Sequence, residues 1–136
     1  ETLAVRVDRH CDNALELAQF LEQQDKVNWA KYPFLRTHPQ YEIAKKQMKK
    51  GGNIVTFEIK GALEAGRAFL NRINMCSLSA NLGDTRTIVT HPASSTHSKL
   101  SKEERSEVGI TDGLIRISTG LENISDIVSD LQQALN

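Results

Sequence analysis

The stretch Asn53-Ile54-Val55-Thr56-Phe57-Glu58-Ile59-Lys60 alternates without a break. Val55, Phe57 and Ile59 fall on one side, and Thr56, Glu58 and Lys60 on the other. Side chains of an extended chain point to opposite faces with a period of two, so this is a strand with one apolar face. The period then changes. Ala62 to Asn74 sets Leu63, Gly66, Leu70 and Ile73 at helical spacing. Met75 to Ala80 reads as a second strand, running into the turn Asn81-Leu82-Gly83-Asp84.

Downstream, Arg86 to His91 is a third strand, stopped by Pro92. With only a short turn between them, the strands around 75–80 and 86–91 are expected to be antiparallel neighbours. Ser101-Lys102-Glu103-Glu104 matches a capping box and opens a short helix. Gly113 to Thr119 is the next strand, and Asn123 caps a last helix that turns Ile124, Ile127, Val128, Leu131 and Leu135 inward.

Upstream, Val27, Trp29 and Tyr32 mark a short extended segment, ended by Pro33 as an edge strand would be. Thr37-His38-Pro39 then opens a helix whose buried face is Tyr41, Ala44 and Met48. Lys45, Lys46, Lys49 and Lys50 suit its C-terminal dipole, and Gly51-Gly52 ends it. Residues 3 to 24 carry Leu3, Val7, Cys11, Ala14, Ala18 and Leu21 on one stripe that is already running at the first residues, with only Thr2 ahead of it. The expectation is a linker helix over 1–25, cut on its N-terminal side, followed by one domain over 26–136. The fold expected is α+β, in two layers: a mainly antiparallel sheet of about four strands with helices on one face.

Composition narrows the function. The 136 residues contain 17 Lys+Arg and 17 Asp+Glu, a formal charge of zero, which gives no electrostatic surface for nucleic acid or anionic lipid. No apolar run approaches the roughly 20 residues of a membrane span. Cys11 and Cys76 fit neither a disulfide framework nor a zinc site, which points to a reducing, cytoplasmic setting.

A few residues exceed what a core requires. Arg116 lies in the strand Leu114-Ile115-Arg116-Ile117-Ser118, where its planar, permanently charged fork could hold a carboxylate, or could make an ordinary surface ion pair. The turn Ala80-Asn81-Leu82-Gly83-Asp84 offers close backbone approach at Gly and donor and acceptor groups at Asn, but these are also default turn residues. The segment Thr90-His91-Pro92-Ala93-Ser94-Ser95-Thr96-His97 is dense in hydroxyls. Its histidines lack the carboxylates or cysteines of a metal site, and a connection that satisfies its own backbone is the plainer reading.

These places are joined by a resemblance. The run Ser79 to His97, then Leu100-Ser101 to Glu104-Arg105, Gly109-Ile110, Gly113 to Ser118 and Gly120-Leu121-Glu122 resembles the C-terminal domain of the cystathionine/methionine-metabolism family of pyridoxal-phosphate enzymes. The likeness reaches back through Phe57-Glu58, the His38-Pro39 helix, Tyr32-Pro33 and the helix with Asn13 and Ala14. It implies the small domain of a fold-type-I enzyme, which closes over the substrate while a larger domain carries the cofactor on a lysine. By the same resemblance, Arg116 matches the arginine on the substrate α-carboxylate. Asn81 matches a position whose backbone helps bind that group, Leu82 stands beside it in the same turn, and Thr96 matches a pocket threonine.

Nothing here matches the cofactor lysine. Lys26, Lys31, Lys45, Lys46, Lys49, Lys50, Lys60, Lys99 and Lys102 all stand in other contexts, and no G-x-G-x-x-G cradle is present. The chain alone is therefore expected to be inactive and not to hold pyridoxal phosphate. Its implied partners are the amino-acid substrate and its own N-terminal cofactor-binding domain, in a parent that resembles homotetrameric enzymes.

Ala80 occupies a place where cystathionine-handling relatives tend to be acidic. A small apolar residue leaves no partner for a distal ammonium. The expected reaction is therefore sulfhydrylation of O-succinyl- or O-acetylhomoserine by sulfide to homocysteine, a step of methionine biosynthesis in a family that also serves trans-sulfuration. The alternatives are methionine γ-lyase and cystathionine γ-synthase or lyase. Thr119, where valine is frequent, and Asp112, where proline is, depart from the pattern. A free-standing small-molecule-binding module is the reading from another class.

Overall fold

The computed structural model describes residues 1–136. Its elements are helix α1 (Leu3–Glu22), strand β1 (Val27–Lys31), helix α2 (Tyr41–Gln47), strand β2 (Ile54–Ile59), helix α3 (Ala62–Arg72), strands β3 (Ser77–Leu78) and β4 (Ile88–Thr90), a 3-10 turn at Pro92–Ser94, helix α4 (Lys102–Glu107), strand β5 (Leu114–Ser118) and helix α5 (Ile124–Leu135). The strands form one five-stranded sheet in the order β1-β2-β5-β4-β3.

The alternation of β2 holds: Val55, Phe57 and Ile59 are buried while Ile54, Thr56 and Glu58 are half-buried. Strand β5 lies antiparallel between β2 and β4 and buries Ile115 and Ile117 on the same side. That side meets Leu17, Ala18 and Leu21 of α1, Phe69 of α3 and Ile127 and Leu131 of α5, in one core. Phe57 and Phe69 meet edge to face, with ring centroids 5.7 Å apart. All the long helices thus share one face, and the other stays open.

The pairing of β3 with β4 corrects the sequence reading. They run parallel, with Ser77 opposite Ile88 and Leu78 opposite Val89. An antiparallel hairpin would close its turn with backbone bonds, yet residues 79–86 make none with one another. Their polar groups go to side chains instead. Gly83 N–H donates to Ser118 Oγ at 3.0 Å, Arg86 N–H to Asp84 Oδ1 at 3.0 Å, and Thr87 N–H to Glu122 Oε1 at 2.6 Å. Pinned in this way, the segment folds back along the sheet, so that β4 starts level with β3 and not opposite its end.

Helix α2 also departs from expectation. It starts at Tyr41, two residues past Pro39, and only Ala44 is buried; Met48 has left the helix in an extended conformation and is 40% exposed. The first two turns of α1 leave Leu3, Val5 and Val7 exposed, so burial along that stripe begins at His10 and Cys11. The caps fall as read. Ser101 and Glu104 form a complete capping box, and Asn123 Oδ1 accepts from Ser125 N–H.

Helix α1 is tied to the far end of β5. His10 Nδ1 lies 2.6 Å from the Thr119 carbonyl, which can only accept, so that nitrogen carries the proton. Asn13 Nδ2 donates to the carbonyls of Gly120 and Glu122 at 3.0 and 2.9 Å.

Candidate functional site on the open face of the sheet

With Ile115 and Ile117 turned into the core, the two-residue period sends Leu114, Arg116 and Ser118 to the open face. Across the ladder, Arg116 stands between Thr56 of β2 and Thr90 of β4. The segment from Ser79 to Gly83 lies against this end of the face and is held by three side chains. Thr90 Oγ1 donates to the Ser79 carbonyl. Arg116 Nη2 donates to the Ala80 carbonyl at 3.0 Å, and Ser118 Oγ accepts from Gly83 N–H. Gly83 has φ +75°, a conformation that favours glycine and lets its N–H turn towards the sheet.

Arg116 forms no ion pair within the chain. Lys50, Arg67, Arg86, Lys102 and Arg105 are the cations that meet carboxylates. Of the five N–H donors of its guanidinium, only the one on Ala80 is engaged. Leu82 N–H likewise makes no hydrogen bond in the chain, and the Leu82 side chain is 56% exposed. Arg116 and the Ala80-Asn81-Leu82-Gly83 segment are therefore brought together, with donors to spare and no acidic side chain paired with Arg116.

Thr96 is placed differently. It is exposed, with Oγ1 2.8 Å from His97 Nδ1, and it makes no hydrogen bond to Arg116 or to the Ala80 segment. The base of its loop is firmly built. His91 is fully buried, its Nε2 2.7 Å from the Asp112 carbonyl and its Nδ1 2.8 Å from Ser94 Oγ. Asp112 in turn pairs with Arg105 at 2.8 Å, which holds its carboxyl below the ordinary value.

Ser118 and Asn53 were not singled out in the sequence, and Thr90 was noted only as the first residue of its hydroxyl-dense segment. Asn53 Nδ2 donates to Ser118 Oγ at 3.1 Å. A signal for Ser118 was present, since it sits two residues from Arg116 and must share its face.

The residues present do not fit attachment of a cofactor. Every lysine but Lys50 is exposed. Lys50 reaches Asp12 at 2.7 Å and Asp8 at 3.5 Å, and the hydrogen bond to Asp12 raises its pKa, the opposite of what a reactive amine needs. The buried thiols are no better as nucleophiles: burial pushes up both Cys11 and Cys76.

The open face thus presents an arginine without an acidic partner beneath a loop pinned by Thr90, Arg116 and Ser118. Comparison identifies the family. The model of the Cys/Met metabolism PLP-dependent enzymes matches residues 1–136, and the chain belongs to that family, whose chemistry depends on pyridoxal phosphate. It is 54% identical over 135 residues to an L-methionine gamma-lyase of Fusobacterium nucleatum, covering 99% of this chain and 34% of that protein. It is 46% identical over 137 residues to an O-acetyl-L-homoserine sulfhydrylase of Leptospira meyeri, covering 99% of this chain and 31% of that one. A solved structure of an O-acetylhomoserine (thiol)-lyase from Campylobacter jejuni, which carries N'-pyridoxyl-lysine-5'-monophosphate, superposes with a TM-score of 0.92 at 39% identity. The match covers 98% of this chain and 32% of that one. The chain spans about a third of the length of the relatives it matches.

Proposed function

We propose that this chain is the C-terminal, substrate-closing lobe (residues 26–136, with 1–25 as the linker helix) of a pyridoxal-phosphate enzyme acting on a four-carbon amino acid with a leaving group at Cγ. In this reading Arg116 grips the substrate α-carboxylate. The single observation that carries it is the guanidinium of Arg116, set on the open face without an acidic partner and bonded only to Ala80. A bidentate carboxylate uses two parallel donors of such a fork, and the free N–H of Leu82 supplies a third beside it. Asn81 completes the pocket from the same loop; Thr96, exposed and bonded to His97, is assigned to it by the family resemblance alone.

Pyridoxal phosphate, held by another part of the parent, supplies the electron sink for breaking bonds at Cα. What this lobe contributes is orientation: holding the carboxylate on Arg116 would restrict rotation about Cα and so select which bond at Cα is presented for cleavage. Closure also excludes water, and the exposed Leu3, Val5 and Val7 give α1 an apolar surface to pack on the larger domain. A cavity of about 150 Å³ lined by Leu3, Val7, His10, Asn53 and Gly83 opens on that same side.

Two reactions fit this lobe. γ-Elimination from methionine is favoured by the higher identity to a methionine gamma-lyase, 54% against 46%. Sulfhydrylation of O-acetyl- or O-succinylhomoserine, expected from Ala80, is supported by the match to the thiol-lyase structure. The intact parent, which by the same proposal is a cytoplasmic homotetramer, decides between them. Release of 2-oxobutanoate and methanethiol from L-methionine supports the lyase. Homocysteine from O-acetyl- or O-succinylhomoserine plus sulfide supports the sulfhydrylase. Absence of both activities sinks the assignment.

A further inference from the structure

We propose that Ser118 is a positioning residue for the carboxylate site, acting through Gly83 and not by touching substrate. This rests on the carboxylate-clamp reading of Arg116 and extends it to a residue with no assigned role.

The loop from Ser79 to Gly83 has a mechanical problem. Ala80, Asn81, Leu82 and Gly83 are all exposed, and no backbone bond within residues 79–86 stiffens them. Left alone, such a segment samples many conformations, and each order it acquires on binding would weaken the affinity for substrate. Its fixed points are therefore decisive. Thr90 and Arg116 hold the carbonyls on the entry side, at Ser79 and Ala80. On the exit side the hold on Gly83 is the hydroxyl of Ser118, which is 1% exposed and cannot swing out to solvent.

The hydroxyl is itself anchored. Its oxygen has two acceptor sites. One takes Gly83 N–H at 3.0 Å, and the other takes Asn53 Nδ2 at 3.1 Å. Asn53 is fixed through its backbone, because its carbonyl accepts from Thr119 N–H at 2.9 Å. The chain Asn53, Ser118, Gly83 thus ties the loop to the rigid entry of β2. Leu82, whose N–H is free, sits between the two pinned flanks. Ser118 and Arg116 lie two residues apart on one strand face, so one rigid element aims the charged fork and sets the loop that faces it.

The test uses the full-length holoenzyme with Ser118→Ala, Arg116→Ala and the double variant. The probe is L-norleucine, a linear amino acid with no leaving group, set against n-pentylamine, the same skeleton without its carboxylate. Cofactor absorbance and thermal midpoint serve as controls for folding. Losing one neutral hydrogen bond, worth roughly 1 kcal/mol, predicts about a fivefold weaker affinity of Ser118→Ala for norleucine. Pentylamine binding is expected to stay unchanged. Because Ser118 acts through the carboxylate site, adding Ser118→Ala to Arg116→Ala should cost nothing further. Equal weakening of both probes, full additivity with Arg116→Ala, or no effect of Ser118→Ala would each overturn the proposal while the clamp stands. If Arg116→Ala leaves norleucine affinity intact, the clamp fails and this proposal falls with it.

Discussion

Glu122 holds Thr87 at two points: Oε1 accepts the Thr87 backbone N–H at 2.6 Å and Oε2 accepts its hydroxyl at 2.9 Å. Thr87 Oγ1 in turn accepts from Gly120 N–H at 2.9 Å. Thr87 is fully buried and immediately precedes β4, so this carboxylate sets where the strand that carries Thr90 begins.

Glu122→Gln keeps the volume but removes the charge, and its amide can keep the Thr87 N–H satisfied only by turning Nε2 towards the Thr87 hydroxyl, which must then accept and loses the partner of its own proton. Hydrogen bonds to a charged group are worth about 1.5–3 kcal/mol, and the variant is expected to lose a comparable amount of stability. Urea denaturation of the chain reads it. A midpoint equal to wild type would mean that the junction is held by the backbone alone.

Asp112 gives a pH dependence with a definite sign. The hydrogen bond from Arg105 depresses its pKa in the fold below the ordinary 3.8. A depressed carboxyl contributes stability that is complete above the unfolded value and is lost as pH falls through the folded one. The stability difference between wild type and Asp112→Asn should therefore be steady above about pH 5 and shrink below about pH 4, by the same linkage. Thermal midpoints of both proteins across this range measure it. A gap that widens on acidification contradicts the assignment.

Gly66 is required by His91. A Cβ at Gly66 would lie 2.6 Å from His91 Nε2 and within 3.0 Å of two ring carbons, and the ring cannot retreat because Asp112 and Ser94 hold both nitrogens. Overpacking of this kind costs about 1–3 kcal/mol, which outweighs the roughly 1 kcal/mol that alanine gains over glycine in a helix. Gly66→Ala should thus lower the denaturation midpoint. In a His91→Ala background, where the ring is gone, the same change should be neutral or stabilising.

The sequence made some of this legible and hid the rest for physical reasons. Periodicity exposed β2, β5 and α5, because Val55, Phe57, Ile115, Ile117, Ile127 and Leu131 all bury into one core and burial is what periodicity records. Caps at Ser101 and Asn123 were readable because their partners lie within three residues. The parallel β3 and β4 pairing was not, since Ser118 and Glu122 redirect the intervening segment from more than thirty positions away. Sequence separation also concealed Asn53 as a support, since the hydroxyl it holds on Ser118 lies 65 positions away. Met48 followed the stripe of α2 yet emerged exposed, because the helix stops at Gln47 and its spacing no longer applies.

The most direct test of the account is a structure of the full-length enzyme with L-norleucine bound. The account predicts both carboxylate oxygens on the Arg116 guanidinium, with two N···O distances of about 2.7–3.2 Å, and the Leu82 N–H turned to the same group. A norleucine carboxylate seated on another cation, with Arg116 still bonded only to Ala80, would contradict it.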